Sequence, residues 1–301
     1  MTPSKLAIAA SAAVGLVICL EQLSLSRLSQ RYVAGKDFQH NLELGLEVAT
    51  AAAETNARDC QCILPRNIRE YKAQAGQDQY LLQRVFFPQD LCCKGVFVEF
   101  GARNGIAHSN TYIFERNFGW TGLMFEVDDR EYEKLKENRP NADIVLGPVC
   151  PSTQSQVTIL LSASPGWTGT TELIEPTRNG TKHVRSHKKF QCHHLAKELK
   201  ARNMHRIDYM TIDTEGSEPD IVEDFPWNDF DVRVVQVEQL VASRYPAQKG
   251  KKERVVAHME KFGYRLLSIY PVAVRDTDDL IFTRNVDAFL NMTTRVKDPG
   301  M

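Results

Sequence analysis

The sequence has almost no excess of charge of either sign. Its 37 Lys and Arg residues balance 38 Asp and Glu residues, so the formal net charge is −1. A chain without a basic excess has no long-range field that draws it to nucleic acid or to an anionic membrane surface. A nucleic-acid modifying activity is therefore disfavoured, and we expect no nucleic-acid partner.

Several motifs that indicate a specific chemistry are also missing. The sequence has no internal repeat, no Gly-x-Gly-x-x-Gly phosphate loop and no recognisable Ser/His/Asp order. Its cysteines and histidines lack the spacing of a zinc site, and the basic segment 182–189 is expected to be a solvated loop. We therefore predict no bound metal, and a nucleotide-sugar enzyme is disfavoured.

Long apolar runs are scarce. Residues 6–20 carry no charge, but a full membrane span needs about 20 residues. We predict an uncleaved signal anchor over residues 1–25, with a cleaved signal peptide as the alternative. A polar stem or linker over 26–70, a folded domain over 71–290 and a tail over 291–301 would follow. The domain would lie in the lumen of the Golgi or endoplasmic reticulum, tethered to the membrane by the N-terminal segment, or would be secreted after cleavage.

The cysteines agree with a secretory location. One of the seven lies inside the apolar run, and an even number remains: Cys60, Cys62, Cys92, Cys93, Cys150 and Cys192. An even number beyond a signal-like segment favours disulfides in an oxidising compartment, with buried free thiols as the alternative. Sequons at Asn179 and Asn291 agree with a glycoprotein.

The stretch 96–105 (VFVEFGARNG) has the pattern of a strand, a tight turn and the approach to a helix over 109–118. We assign its turn residues Glu99, Gly101, Ala102, Asn104 and Gly105 to a cofactor. Gly101 would permit a close backbone approach, and Gly105 would let adenosine lie against the backbone. The glycine spacing does not fit a pyrophosphate. S-adenosylmethionine, which carries adenosine without phosphates, suits it better.

A second acidic strand end supports this assignment. Residues 123–126 form another short apolar strand that closes on Glu126, roughly 20 residues past the glycines. In a nucleotide-binding sheet, an acid at the end of the next parallel strand binds the ribose hydroxyls. We therefore predict that Glu126 binds the ribose.

Strands and helices alternate along the chain. Strands are predicted at 96–100, 123–126, 144–146, 157–162 (a strand or an added hairpin), 209–212, 232–238, 264–269 and 280–283. Helices are predicted near 81–87 and at 109–118, 129–138, 194–202, 219–225 and 251–262. This alternation predicts an α/β fold, a Rossmann-like, doubly wound, mostly parallel sheet that ends in an antiparallel pair.

Acidic residues also follow the strand 209–212. Asp213 and Glu215 would project beyond the carboxyl edge of the sheet, where such folds bind ligands. They could hold an amino group, orient a hydroxyl or act as general base, and we predict that they are catalytic. Glu238, at the predicted end of the next strand, and Trp167 are candidate substrate contacts. Ser217 and Glu218 are better interpreted as a cap of the next helix.

These motifs resemble the FkbM-type methyltransferases. The resemblance runs from about residue 76 to 283 and rests on GQD at 76–78, VFVEFGARNG at 96–105, SNTY at 109–112, GWTG at 119–122, FE at 125–126 and IDYMTIDTEGSE at 207–218. It implies a class I methyltransferase fold that uses S-adenosylmethionine and typically methylates hydroxyls. By position, it also implies that Asp213 and Glu215 lie near the transfer site.

The strand 144–146 lacks the acid that many such enzymes place near the adenine amine, so the adenine contacts stay unassigned. We expect an O-methyltransferase of the secretory pathway that acts on a carbohydrate or a similar small-molecule acceptor. The alternative is a non-catalytic cargo or export factor of the Star type, built on the same fold.

Overall fold

A computed structural model describes residues 62–65, 67–162, 168–170, 184–243, 245–273 and 277–284. The predicted signal anchor, both sequons, Trp167 and most of the predicted stem lie outside these residues. Within them, no helix has the length and apolar character needed to cross a membrane.

A seven-stranded sheet forms the centre of the fold. The strands of the protein are β1 (Val96–Phe100), β2 (Thr121–Glu126), β3 (Ala142–Leu146), β4 (Gln156–Ser162), β5 (Thr168–Thr170), β6 (Val184–Gln191), β7 (Arg206–Ile212), β8 (Asp231–Leu240), β9 (Arg265–Ala273) and β10 (Thr277–Thr283). The main sheet has the order β3-β2-β1-β7-β8-β10-β9. Its first five strands pair in parallel, and β10 is antiparallel to both β8 and β9. The predicted mostly parallel sheet with a terminal antiparallel pair is confirmed.

Helices cover both faces of this sheet. They are α1 (Gln77–Leu81), α2 (Tyr112–Phe118), α3 (Asp129–Asn138), α4 (Leu195–Ala201), α5 (Glu218–Asp224) and α6 (Lys251–Lys261). Because side chains alternate along a strand, Phe97 of β1 packs with α1, α2 and α3, whereas Val98 packs with α4, α5 and α6. The fold is therefore doubly wound, and its strand order reverses direction between β1 and β7.

The strands between β3 and α4 form a separate sheet of order β5-β4-β6. The strand expected at 157–162 lies in this small sheet. Most of the basic segment 182–189, which we expected to be a loop, belongs to β6 and pairs antiparallel with β4. The loop prediction failed because a strand that bears basic side chains on an exposed face looks polar throughout in sequence.

Many other boundaries differ from the sequence prediction, among them those of two helices and of β8. The helix predicted from residue 109 begins at Tyr112, because the preceding residues bind Glu99. The helix expected near 81–87 is α1 followed by a π-helical turn, Leu82–Phe86. Glu238 does not end its strand, since β8 continues to Leu240. By contrast, α3 has the predicted limits, and Asp128 caps it by accepting from Arg130 N.

Disulfides join segments that are distant in sequence. Cys62 pairs with Cys92, which ties part of the predicted stem to the domain, and Leu64 packs against the same core. Cys150, after β3, pairs with Cys192, after β6. Cys93 is also disulfide-bonded. The cysteines of the described residues are thus oxidised, as predicted.

Candidate active site

The loop that follows β1 is organised by the carboxylate of Glu99. This side chain is buried, with 2% of its area exposed, and accepts hydrogen bonds from Ser109 Oγ (3.0 Å), Asn110 N (2.8 Å) and Thr111 Oγ1. Burial raises the pKa of Glu99 above its ordinary value. Glu99 therefore holds the end of the loop and the approach to α2, and its expected cofactor contact stays a prediction.

Arg139, which directly follows α3, lies under this loop. Its guanidinium donates to Gly105 O (3.1 Å), to Thr111 Oγ1 (3.0 Å) and to Glu115, and lies 3.7 Å from Glu99 Oε2. Its side chain is 1% exposed. A buried charge needs partners on all sides, and these oxygens supply them. Arg139 is thus a positioning residue that locks the loop to α3.

Glu126 holds the other end of the same loop. Its Oε2 accepts from Arg103 N at 2.6 Å, and its Oε1 accepts from Val127 N and Asp128 N at 2.7 Å. Burial raises the pKa of Glu126 to about 7. By strand alternation and register, Glu126 lies on the same face of the sheet as Glu99. Glu126 therefore binds the beginning of the loop that follows β1, and Glu99 binds its end.

Gly101 lies where this loop meets the loop after β7. Its φ is +66°, and a Cβ at this position would stand 2.6 Å from the carbonyl oxygen of Asp213. The residue itself is exposed. Glycine is therefore required at residue 101 both by the backbone angle and by a close backbone approach, as the sequence predicted.

The other loop residues serve the protein's own structure. A Cβ on Gly105 would stand 2.5 Å from Arg139 Cγ and 2.6 Å from Leu135 Cδ1, so helix packing explains this glycine, rather than the adenosine contact that we expected. Ala102 N donates to Phe125 O. Asn104 Oδ1 accepts from two backbone N–H groups of the same loop. The expected cofactor contacts of Ala102 and Asn104 stay predictions.

Hydrogen bonds in the loop after β7 hold Glu215 in one backbone conformation. Glu215 adopts a φ of +57°, a left-handed conformation that costs a non-glycine residue about 1–2 kcal/mol. Glu218 Oε1 accepts from Thr214 N and Gly216 N at 2.8 Å, and Lys251 Nζ donates to Gly216 O. These bonds hold the backbone of Glu215 in its strained form. Glu218 is therefore structural, but it holds the preceding loop rather than capping the helix. Ser217, the residue before α5, makes no side-chain cap bond, so the predicted cap is wrong.

Three carboxylates converge at the carboxyl edge of the sheet. Asp213, Glu215 and Glu238 each bring an oxygen within 4.8 Å of the other two, and we call them the carboxylate triad. Asp213 and Glu215 are partly exposed and Glu238 is buried. Desolvation raises the pKa of Asp213 to about 7 and those of Glu215 and Glu238 well above their ordinary values. Repulsion within the triad adds to the shifts of Glu215 and Glu238.

A buried amide network lies beside the triad. Asp279, opposite Glu238 in the β8–β10 register, accepts from Gln77 Nε2 (2.9 Å) and Gln236 Nε2 (3.0 Å). Burial raises the pKa of Asp279 to about 7. Tyr209 OH donates to Gln236 Oε1 at 2.6 Å. The network joins α1, β7, β8 and β10 beside the triad.

The structure brings together the two sets of residues that the sequence singled out. Gly101, of the predicted cofactor loop, contacts the backbone of Asp213, of the predicted catalytic segment. The sequence prediction missed Arg139 and Asp279, because neither belongs to a recognisable motif. For Gln77, the Gly-Gln-Asp triplet at 76–78 was a signal, although it did not reveal that Gln77 binds Asp279.

The site fits S-adenosylmethionine in two respects. Gly101 is an exposed glycine at the point where the strand order reverses, which is where such sheets bind ligands. Glu126 Oε2 accepts one hydrogen bond, from Arg103 N, and a carboxylate oxygen has capacity for a second, such as a ribose hydroxyl.

Comparison with known proteins defines the class. The model of the methyltransferase FkbM domain family matches residues 99–266, more than half of the chain. The chain belongs to this family and is an S-adenosylmethionine-dependent methyltransferase. The resemblance inferred from the motifs is confirmed.

More distant similarities add no detail. No curated protein matches the sequence. Among solved structures, the chain is similar to Aeropyrum pernix fibrillarin with natively bound S-adenosyl-L-methionine, at 10% identity and a TM-score of 0.38, over 64% of this chain and 68% of that one. It is similar to a precorrin-6y C5,15-methyltransferase from Geobacter metallireducens GS-15, at 9% identity and a TM-score of 0.37, over 75% and 99%. It is also similar to a TehB-like methyltransferase from Corynebacterium glutamicum, at 10% identity and a TM-score of 0.36, over 81% and 98%.

Proposed function

We propose that this protein methylates a hydroxyl oxygen of a carbohydrate or a similar small-molecule acceptor. The observation that carries the proposal is the convergence of the carboxylate triad beside the exposed Gly101. Carboxylates beside the cofactor loop can accept a hydrogen bond from a hydroxyl substrate and take its proton.

Different residues of the chain would bind the cofactor and activate the hydroxyl. When bound, the cofactor supplies an electrophilic methyl group on sulfur. Glu126 would hold the ribose, and the bend at Gly101 would leave room for the sulfonium end. Asp213 or Glu215 would orient the acceptor hydroxyl and take its proton while the new O–C bond forms and the S–C bond breaks. Most of the rate enhancement would come from proximity and orientation.

We further propose that the reaction takes place in the secretory pathway, with the domain on the luminal side of the Golgi or endoplasmic reticulum membrane. The disulfides Cys62–Cys92 and Cys150–Cys192 support an oxidising compartment. The apolar run 6–20 would supply the anchor. A glycan acceptor follows from this location, since glycans are the abundant polyhydroxylated substrates of that compartment.

The test begins with calorimetry of the purified full chain and S-adenosylmethionine. We expect saturable binding that Asp213→Asn and Glu215→Gln leave nearly unchanged. Transfer of a labelled methyl group to a panel of free glycosides and glycoproteins should then fall by about 10²–10⁴-fold in the variant that lacks the proton acceptor. Glu253→Gln, a charge-matched change at an exposed position of α6, should affect neither measurement.

The outcomes separate the alternatives. A folded protein that binds no S-adenosylmethionine would contradict the proposal and favour the export-factor interpretation. Cofactor binding with transfer to a nitrogen acceptor, and none to hydroxyls, would keep the methyltransferase activity but overturn the proposed acceptor.

A further inference from the structure

We propose that the carboxylate triad, Asp213, Glu215 and Glu238, binds one divalent cation of the oxygen-preferring class, Ca²⁺, Mg²⁺ or Mn²⁺. We also propose that this ion positions the acceptor hydroxyl, a second step that rests on the proposed function, whereas ion binding itself does not. The inference replaces our sequence-based expectation of no metal.

The spacing of the triad fits the coordination sphere of such an ion. One oxygen from each residue lies within 4.8 Å of the other two. Ca²⁺ bonds oxygen at about 2.3–2.6 Å, so opposite ligands stand about 5 Å apart, and Mg²⁺ bonds of about 2.0–2.1 Å bring them to about 4 Å. Carboxylates from β8 and from the loop after β7 can therefore share one ion with little movement.

Glu238 supplies an independent observation. Only 8% of this residue is exposed, and its Oε2 is screened from solvent and receives no hydrogen bond from an N–H or hydroxyl group. The side-chain hydrogen bond of Glu238 is to another acid, Asp213. Burying a polar oxygen without a donor partner is costly, so such an atom in a folded protein needs an explanation. Its opposite neighbour on β10 is another acid, Asp279, whose Oδ2 already accepts from Gln77 and Gln236. A cation held by the triad would satisfy Oε2.

Charge also favours a divalent ion. Three carboxylates place up to three negative charges in a small volume, and the nearby Arg103 offsets part of the charge of Asp213 and Glu215. An organic ammonium group would bring one positive charge, whereas a metal ion brings two. Carboxylate oxygens are the ligands that Ca²⁺, Mg²⁺ and Mn²⁺ prefer.

The backbone of Glu215 is consistent with this role. Its left-handed conformation is held by hydrogen bonds to Glu218 on both sides and by Lys251. The loop therefore keeps one ligand in place at the expense of local strain. Positions of the coordination sphere that the protein leaves open would accept water or two neighbouring hydroxyls of a carbohydrate. A coordinated hydroxyl loses its proton more readily, which would assist methyl transfer.

The experiment uses the full chain, freed of metal with a chelator, and the metal salts alone. We expect one equivalent of Ca²⁺ or Mn²⁺ to bind in calorimetry, with Mn²⁺ binding seen independently as loss of the free-ion signal in electron paramagnetic resonance. Glu238→Gln should weaken binding by at least about tenfold. Glu215→Gln, a loop change that leaves β8 intact, should do the same, and Glu253→Gln should have no effect.

The ion site itself is tested by binding alone, without the methyl-transfer assay. Absence of saturable binding of all three ions to the folded protein would overturn the inference, as would binding that both triad variants leave unchanged. Loss of S-adenosylmethionine affinity in Glu238→Gln, with no metal bound by the wild type, would assign the triad to the cofactor's ammonium group and also overturn it. Metal binding in a protein that methylates no hydroxyl would support the ion site while contradicting the proposed function.

Discussion

The Cα of Gly101 faces the carbonyl oxygen of Asp213 so closely that an added Cβ would stand 2.6 Å away from it. This contact joins the loops after β1 and β7, the two strands on either side of the point where the sheet reverses its order. The predicted cofactor loop and the predicted catalytic loop therefore cannot move independently. A change in one is expected to displace the other.

Gly101→Ala should accordingly destabilise the protein and weaken cofactor binding. The backbone angle alone costs a non-glycine residue about 1–2 kcal/mol, and the collision with Asp213 adds to this. Gly119→Ala is a matched control, because its φ of +65° is nearly the same and no atom lies within 4 Å of the added Cβ. Urea unfolding should show the larger loss for Gly101→Ala. Equal losses in the two variants would mean that the contact with Asp213 contributes nothing.

Arg139→Met should be among the most damaging single changes in the domain. It leaves the buried carboxylates of Glu99 and Glu115 without their guanidinium, which typically costs about 3–5 kcal/mol. Arg202→Met, which removes a partly exposed partner of Glu198, should cost about 1 kcal/mol or less.

The difference between these two arginine variants can be measured by urea unfolding.

Adding Glu99→Gln to Arg139→Met should recover part of the lost stability, because no unpaired charge then remains at position 99. A double variant as unstable as the sum of the two single changes would show that Glu99 and Arg139 act independently.

Local sequence was sufficient to predict the ends of β1 and β2 and the bend at Gly101. Glu99 and Glu126 close apolar strands, and that pattern survives folding because a parallel sheet places both carboxyl ends at one edge. The role of Gly105 could not be predicted, since its neighbours Leu135 and Arg139 belong to a helix whose docking is a tertiary event. A short glycine motif has the same sequence whether a ligand or a helix occupies the space beside the glycine.

All three triad residues were candidates in the sequence, but the predicted place of Glu238 at a strand end is wrong. Asp213 and Glu215 are close together in sequence, so it could be predicted that both lie beyond the end of the same strand. Glu238 comes from the interior of β8 rather than from its end, and only the register of the sheet brings its carboxylate to them. The buried environment of Glu238, which suggests an ion, is not encoded in any local pattern.

Glu126 should make stability depend on pH in a characteristic direction. Its folded-state pKa is about 7, above its ordinary value of 4.5. The folded state therefore binds the proton more tightly, and its contribution is present below about pH 4.5 and is lost as the pH rises through about 7. For a group this buried, the contribution is at most about 3 kcal/mol.

Glu126→Gln isolates this contribution from those of the other buried acids. Relative to the wild type, the variant should lose more unfolding free energy at about pH 5 than at about pH 7.5. Glu137→Gln, an exposed change on α3, should differ from the wild type by the same unfolding free energy at both pH values. The measurement is urea unfolding across the pH range. A constant gap between Glu126→Gln and the wild type would contradict the prediction.

The disulfide Cys150–Cys192 should stabilise the domain mainly by lowering the conformational entropy of the unfolded chain. In the folded protein, the two segments are also joined by a hydrogen bond from Cys150 N to His193 O, so they stay adjacent without the covalent link. The bond closes a loop with a sequence separation of 42 residues, for which loop-closure entropy predicts about 4 kcal/mol.

The double variant Cys150→Ala, Cys192→Ala should therefore unfold at lower urea and keep its methyl-donor affinity. Adding reductant to the wild type should lower its stability at least as far, because the Cys62–Cys92 bond is lost as well. Alkylation of the denatured, unreduced protein provides the independent check, since Cys150 and Cys192 should resist labelling. If both cysteines label in protein from its native compartment, that compartment is reducing, and the support that the disulfides give to a luminal methyltransferase disappears.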